Sequence, residues 1–223
     1  MTVLFVLLTF GFFLALDAWS HRHEMVPAAV PAHVPEAEAL RFEPVWVAGF
    51  QVPEGLHYHR GHTWVRAIGP DTAVVGLDDF ARRLIGPVSR AKLPEVGSWV
   101  RQGDRAASVG LDGREAELVA PVEGEVVQTN PLLESEPGLA TADPYGRGWL
   151  FKVRSSDLGR NFANLFSGSL AHRFVEDSRE RLQLQLMALS GTVLADGGEP
   201  SPDFARHLGD EDWHRISREF LLT

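Results

Sequence analysis

Between Leu56 and Arg154 the chain reads as short alternations of apolar and polar residues broken by turns, with almost no helical period. The alternating runs are HTWVRAI, TAVVGL, SWVRQGD, RAASVGL, REAELVA, GEVVQTN and GWLFKVR. Turn signals at Gly69-Pro70-Asp71, Glu95-Val96-Gly97, Asp112-Gly113 and Glu123-Gly124 recur about every eight to twelve residues, the rhythm of a small β-sandwich or barrel. Only the run DDFARRLIG looks helical. Neighbouring carboxylates on a helical turn point in different directions, so Asp78 and Asp79 read as a helix N-terminal cap rather than a catalytic pair. The sharpest turn is Leu111-Asp112-Gly113-Arg114, where Asp-Gly suits a two-residue type I′ hairpin whose tip projects into solvent.

Five segments within this region carry a family pattern. They are Gly61-His62-Thr63-Trp64-Val65; Val75-Gly76-Leu77-Asp78-Asp79-Phe80-Ala81 with Leu84 and Gly86; Leu93-Pro94-Glu95-Val96-Gly97 with Val100 and Gly103; Ala120-Pro121-Val122-Glu123-Gly124-Glu125-Val126 with Asn130; and Asp143-Pro144-Tyr145-Gly146 leading to Gly148-Trp149. In that order and spacing the chain resembles the glycine cleavage system H protein family. The resemblance implies a mainly β fold, a barrel-sandwich hybrid of the lipoyl and biotinyl type, followed by helices. It also implies a hairpin whose tip bears a lipoyl-lysine, with the decarboxylase and aminomethyltransferase of glycine cleavage as partners.

One residue departs from that pattern. Counting back from Ala120, the family's lipoyl-lysine position falls at Gly113, next to Arg114, and the chain's two lysines are Lys92 and Lys152, with none between. Attachment of lipoate needs a neutral amine, whereas a guanidinium stays protonated with its charge delocalised. The expectation is therefore no bound cofactor, no catalytic residue, and a hairpin surface (Leu111, Asp112, Gly113, Arg114) that serves as a docking face. Two other readings are the family's own aminomethyl and lipoyl carrier role, and an export adaptor of the membrane fusion type. The latter also joins an N-terminal span to lipoyl-like domains, but this sequence lacks its long helical hairpin.

Residues 1–19 read as a transmembrane signal anchor: Val3 to Leu16 contains no charge, and 19 residues of helix would span about 28 Å. His21-Arg22-His23 follows the run, which places the remainder of the chain on the cytoplasmic side of a membrane, with Trp19 at the interface. Residues 20–54, with Pro27, Pro31, Pro35, Pro44 and Pro53, read as an extended tether, of which Phe42 to Phe50 could dock on the domain that follows. Residues 55–154 form the H-protein-like domain, and residues 155–223 form a helical extension.

In that extension Ser156-Asp157 caps a first helix bearing Leu158, Phe162, Leu165 and Phe166; a second runs from Ser169 to about Leu189, and a last one spans Asp210 to Leu222 around Trp213. Trp213, Phe220 and Leu221 either pack on the barrel or offer a partner patch. His57, His59 and His62 invite a metal reading, but no Asp, Glu or Cys completes a set at ligand spacing, so no metal site is assigned. A net charge of −9 removes nucleic acid as a main partner, because phosphate binding needs a cationic face. The absence of cysteine removes disulfides and thiolate chemistry.

Overall fold

The computed structural model describes residues 43–111, 113–190 and 208–222. The apolar run 3–16 and the Asp196 to Pro202 loop lie outside these residues. Among the described residues, no helix is long and apolar enough to cross a membrane.

Eleven strands among the described residues form three antiparallel sheets. β1 (Trp46–Val47) and β2 (Phe50–Gln51) form a small ribbon. A six-stranded sheet has the order β3 (His57–Tyr58), β4 (Thr63–Ala67), β5 (Thr72–Leu77), β11 (Phe151–Arg154), β10 (Gly124–Thr129) and β7 (Trp99–Val100). A three-stranded sheet has the order β6 (Arg90–Lys92), β8 (Arg105–Leu111) and β9 (Arg114–Val119). Their inner faces share one apolar core in which Val65, Val75, Val126 and Val153 from the larger sheet meet Val109, Ala116 and Leu118 from the smaller. Alternation sets those faces, since side chains two apart on a strand point the same way.

Trp64 is fully buried, and its ring lies where a side chain on the facing strand would stand. A Cβ on Gly76, the partner of Trp64 in the β4–β5 register, would come within 2.5 Å of the indole. Glycine at position 76 is thus what lets the largest core side chain lie across the sheet.

Short helices close the barrel. α1 (Asp79–Ile85) begins at Asp78, whose Oδ1 accepts from the Ala81 amide at 2.7 Å, as the capping reading expects. Asp79 is not a cap but a buried carboxylate held by Arg82 and Arg83 and by the Gln51 amide. α2 (Leu132–Ser135) and α3 (Leu139–Ala142) lie in the β10–β11 connection and have no counterpart in the sequence reading, being too short to establish a period.

Part of the stretch expected to be tether packs on the domain, as the docking expectation for Phe42 to Phe50 allowed, with Phe42 itself outside the described residues. Val47, Phe50 and Val52 are buried in the core, and Arg83 donates to the Gly49 carbonyl, so the chain joins the packed body upstream of the expected boundary at residue 55. Phe50 packs on Phe80 with ring centroids 5.3 Å apart.

Downstream, α4 (Leu158–Phe162) is capped by Asp157 as expected, but Leu165 and Phe166 fall outside the helix. Phe166 instead exchanges backbone hydrogen bonds with Tyr58, adding an isolated bridge at the sheet edge. α5 (Gly168–Ser190) matches the expected second helix and buries Ala171, Val175, Ser178 and Leu182. α6 (Asp210–Leu221) matches the last one and buries Trp213, Ile216, Phe220 and Leu221 at 1%, 0%, 2% and 0% exposure. Trp213, Phe220 and Leu221 are therefore core rather than an exposed patch: the spacing i, i+3, i+7, i+8 puts them on the one helical face that meets β9 and α1. Each such side chain stabilises the packed state by about 1.5–3 kcal/mol.

Candidate functional site

The hairpin that singles out residues 111–114 is present. β8 and β9 pair from Arg105 opposite Val119 to Leu111 opposite Arg114, leaving positions 112 and 113 as a two-residue connection. Asp112 and the side chain of Leu111 lie outside the described residues. Gly113 is exposed, with φ +89°, and a Cβ there would meet nothing within 4 Å. That left-handed backbone suits glycine and strains other residues.

Arg114 does not project into solvent. It lies on the same strand face as the buried Ala116 and Leu118, and its side chain is 26% exposed. Its Nε donates to Asp210 Oδ1 at 2.9 Å, its Nη2 donates to the Leu208 carbonyl at 2.7 Å, and the guanidinium lies 5.7 Å from the Trp213 ring. Sequence reading missed this tie because the two partners are about a hundred residues apart. The signal that could have found it is the acidic turn Asp210-Glu211-Asp212 immediately before Trp213.

The other side of the hairpin sheet is polar. Arg90, Lys92, Ser108 and Glu115 line an open groove of about 450 Å³ with Leu133 and Glu134. Ser108 donates to Glu115 at 2.5 Å. Of the chain's two lysines, Lys92 is exposed on β6, opposite Ser108, whereas Lys152 donates to Gln128 at 2.9 Å and lies over the Trp149 ring at 4.8 Å. At the tip itself neither Gly113 nor Arg114 offers an amine.

Behind β9 the motif residues form a buried polar seam. His62, 1% exposed with φ +58°, places Nδ1 2.7 Å from Asp78 Oδ2, and its ring stacks between Phe80 at 4.1 Å and Phe174 at 4.8 Å. Tyr145 accepts from the Asp79 amide and donates to the Gln51 carbonyl, each at 2.8 Å. Burial raises the Tyr145 hydroxyl well above its ordinary range, and the charges of Tyr58 and Asp78 add to this. Tyr58 is raised by burial and then by Asp78, so both phenols stay neutral hydrogen-bonding posts. Asn130 donates to the Arg147 and Trp149 carbonyls at 2.7 Å and accepts from the Leu132 amide, tying the β10–β11 connection to itself.

The three histidines do not converge. His57 stacks on Phe162 at 4.2 Å, His59 Nδ1 accepts from the Gly61 amide at 3.1 Å, and His62 holds Asp78. Burial pushes His59 down to about 4, with the charges of Arg60 and His62 contributing less, and burial also lowers His57. Among the described residues, no group of three His, Asp or Glu side chains is placed to hold a metal.

Residues 56–178 match the family model described as Glycine cleavage H-protein. The chain belongs to the glycine cleavage H-protein family. It is similar to the glycine cleavage system H protein of Mycobacterium avium (strain 104), 43% identical over 106 residues that make up 48% of this chain and 80% of that one. It is also similar to the probable glycine cleavage system H protein of Thermococcus gammatolerans, 33% identical over 130 residues, 58% of this chain and 96% of that one. A solved H-protein structure from Mycobacterium marinum is 29% identical and covers 54% of this chain and 95% of that chain, with a TM-score of 0.48.

Membership gives the motif residues their meaning: this is a family of carriers rather than catalysts, and His62, Asp78, Tyr145 and Asn130 all act here as scaffold. α6, at residues 210–221, lies beyond the matched span.

Proposed function

We propose that this protein is an H-protein relative that docks on the partners of its family through the hairpin face without carrying a lipoyl arm. The observation that carries the reading is the hairpin itself: a family barrel complete with its buried seam ends in Gly113 and Arg114, and Arg114 is committed to α6 by two hydrogen bonds. A guanidinium so held is neither a nucleophile nor a tether. The residues at the tip do not fit lipoate, so no carrier step is assigned to them.

The test is competition in a reconstituted glycine cleavage reaction. The full chain should bind the decarboxylase or the aminomethyltransferase and reduce the turnover supported by a lipoylated H protein, while supporting none alone. Absence of competition at saturating concentration contradicts docking on these partners.

A second reading, the carrier role itself, is favoured by the names and the 33–43% identity of the relatives. It would require an amine away from the tip, and Lys92, exposed on β6 of the hairpin sheet, is the residue that could supply one. The run Val3 to Leu16 further supports a membrane anchor with the barrel on the cytoplasmic side; resistance of the protein to carbonate extraction from host membranes tests it.

A further inference from the structure

We propose that the groove between β9 and α1 is a helix-binding site, and that α6 is its tethered and exchangeable ligand. The groove lies within the family span, whereas its occupant lies outside it. Leu84, Phe80, His62, Gly61 and Val119 line the contact. Phe220 meets Phe80 at 5.1 Å and His62 at 6.2 Å, and the Leu221 carbonyl comes so near Gly61 that a Cβ there would sit 2.9 Å from it. Any side chain at position 61 would therefore hold the helix end away.

The character of the contact makes exchange feasible. Four apolar side chains fill the groove, and the directional ties are three: Trp213 Nε1 donating to the Leu84 carbonyl at 3.1 Å, the Arg114 cluster at the rim, and Glu219 accepting from Arg181 and Gln185 of α5 at the exposed edge. Ser217, buried in the same face, donates to the Trp213 carbonyl at 2.7 Å and so is satisfied within its own helix. Departure of α6 strands the Leu84 carbonyl, an α1 end group, while the more exposed Arg114, Arg181 and Gln185 exchange their partners there for water. Apolar contact is non-directional, so another helix of the same pattern fills the groove equally well.

That pattern defines the partner: an amphipathic helix with apolar residues at i, i+3, i+7 and i+8, the first of them Trp, preceded by an acidic turn that faces Arg114. While α6 is seated it pins Arg114, and with it the start of β9 beside the hairpin tip. Release of α6 frees the hairpin face and the groove together. Regulation of docking rests on the reading above, but occupancy of the groove is measured separately.

Because the chain has no cysteine, single thiols report on it cleanly. Ser217 on α6 and Ser155 after β11 are both 3% exposed, so full-length Ser217→Cys and Ser155→Cys can be compared for alkylation by iodoacetamide. Sub-global opening of α6 predicts labelling of the Ser217→Cys thiol about tenfold or more faster than that of Ser155→Cys. A synthetic peptide of residues 208–223 should raise the Ser217→Cys rate further by holding the groove, and a peptide carrying Trp213→Ala should not. Equal rates overturn the proposal, as does a fast Ser217→Cys thiol indifferent to the peptide. Amide hydrogen exchange on the unsubstituted chain gives the same comparison without a variant: α6 amides should exchange ahead of those of β4 and β5, and simultaneous exchange contradicts it.

Discussion

The buried seam around His62 and the hairpin tip around Gly113 belong to one barrel, yet they relate to the family in opposite ways. At the seam the family's residues are present and satisfy one another: Asp78 both caps α1 and holds His62, and Tyr145 joins α1 to the β1–β2 ribbon. At the tip Gly113 carries no side chain, and the neighbouring Arg114 is turned to a structural task. The contrast teaches that the motif residues of the seam serve the scaffold, and that the proposed role without an arm rests on a few exposed positions outside it.

Breaking the seam should therefore cost far more than altering the tip. Asp78→Ala removes a cap and leaves His62 buried without its hydrogen-bond partner, a loss of about 2–4 kcal/mol in urea unfolding. Trp213→Ala empties the groove of its largest side chain and strands the Leu84 carbonyl, costing about 3 kcal/mol by the same measurement.

Acidification probes the seam's edge. His59 titrates near 4 when folded and near its ordinary 6.5 when unfolded, so below pH 6.5 the unfolded chain gains a proton that the folded chain refuses. Stability is complete above pH 6.5 and falls as pH drops toward 4, by up to about 3 kcal/mol, with no further loss from this residue below 4. His57 shifts in the same direction and adds to the slope. His59→Gln should flatten the dependence measured by thermal unfolding at a series of pH values. At the tip, Arg114→Ala removes a rim contact to an Asp210 that is 80% exposed, and should cost no more than about 1 kcal/mol.

Much of this contrast was legible before any coordinates. Alternation placed seven strands, and Asp-Gly placed the hairpin. Longer-range ties were not legible. The apolar residues up to Phe50 marked this stretch as able to dock, but not as a ribbon held by Asp79 and Arg83, because the holding groups lie about thirty residues away. Leu165 and Phe166 kept helical spacing but lie past the helix, where the Phe166 backbone pairs with the distant edge residue Tyr58. The seating of α6 on β9 joins residues about a hundred positions apart: its period marks an apolar face and its acidic first turn a charge, but neither names the strand they meet.

The proposal that the chain carries no lipoyl arm is most directly tested by the intact mass of the protein purified from its own host. An unmodified polypeptide mass is expected. An increment of roughly 188 Da, the size of an amide-linked lipoyl group, would contradict it, and a peptide map placing that increment on Lys92 would restore the carrier role.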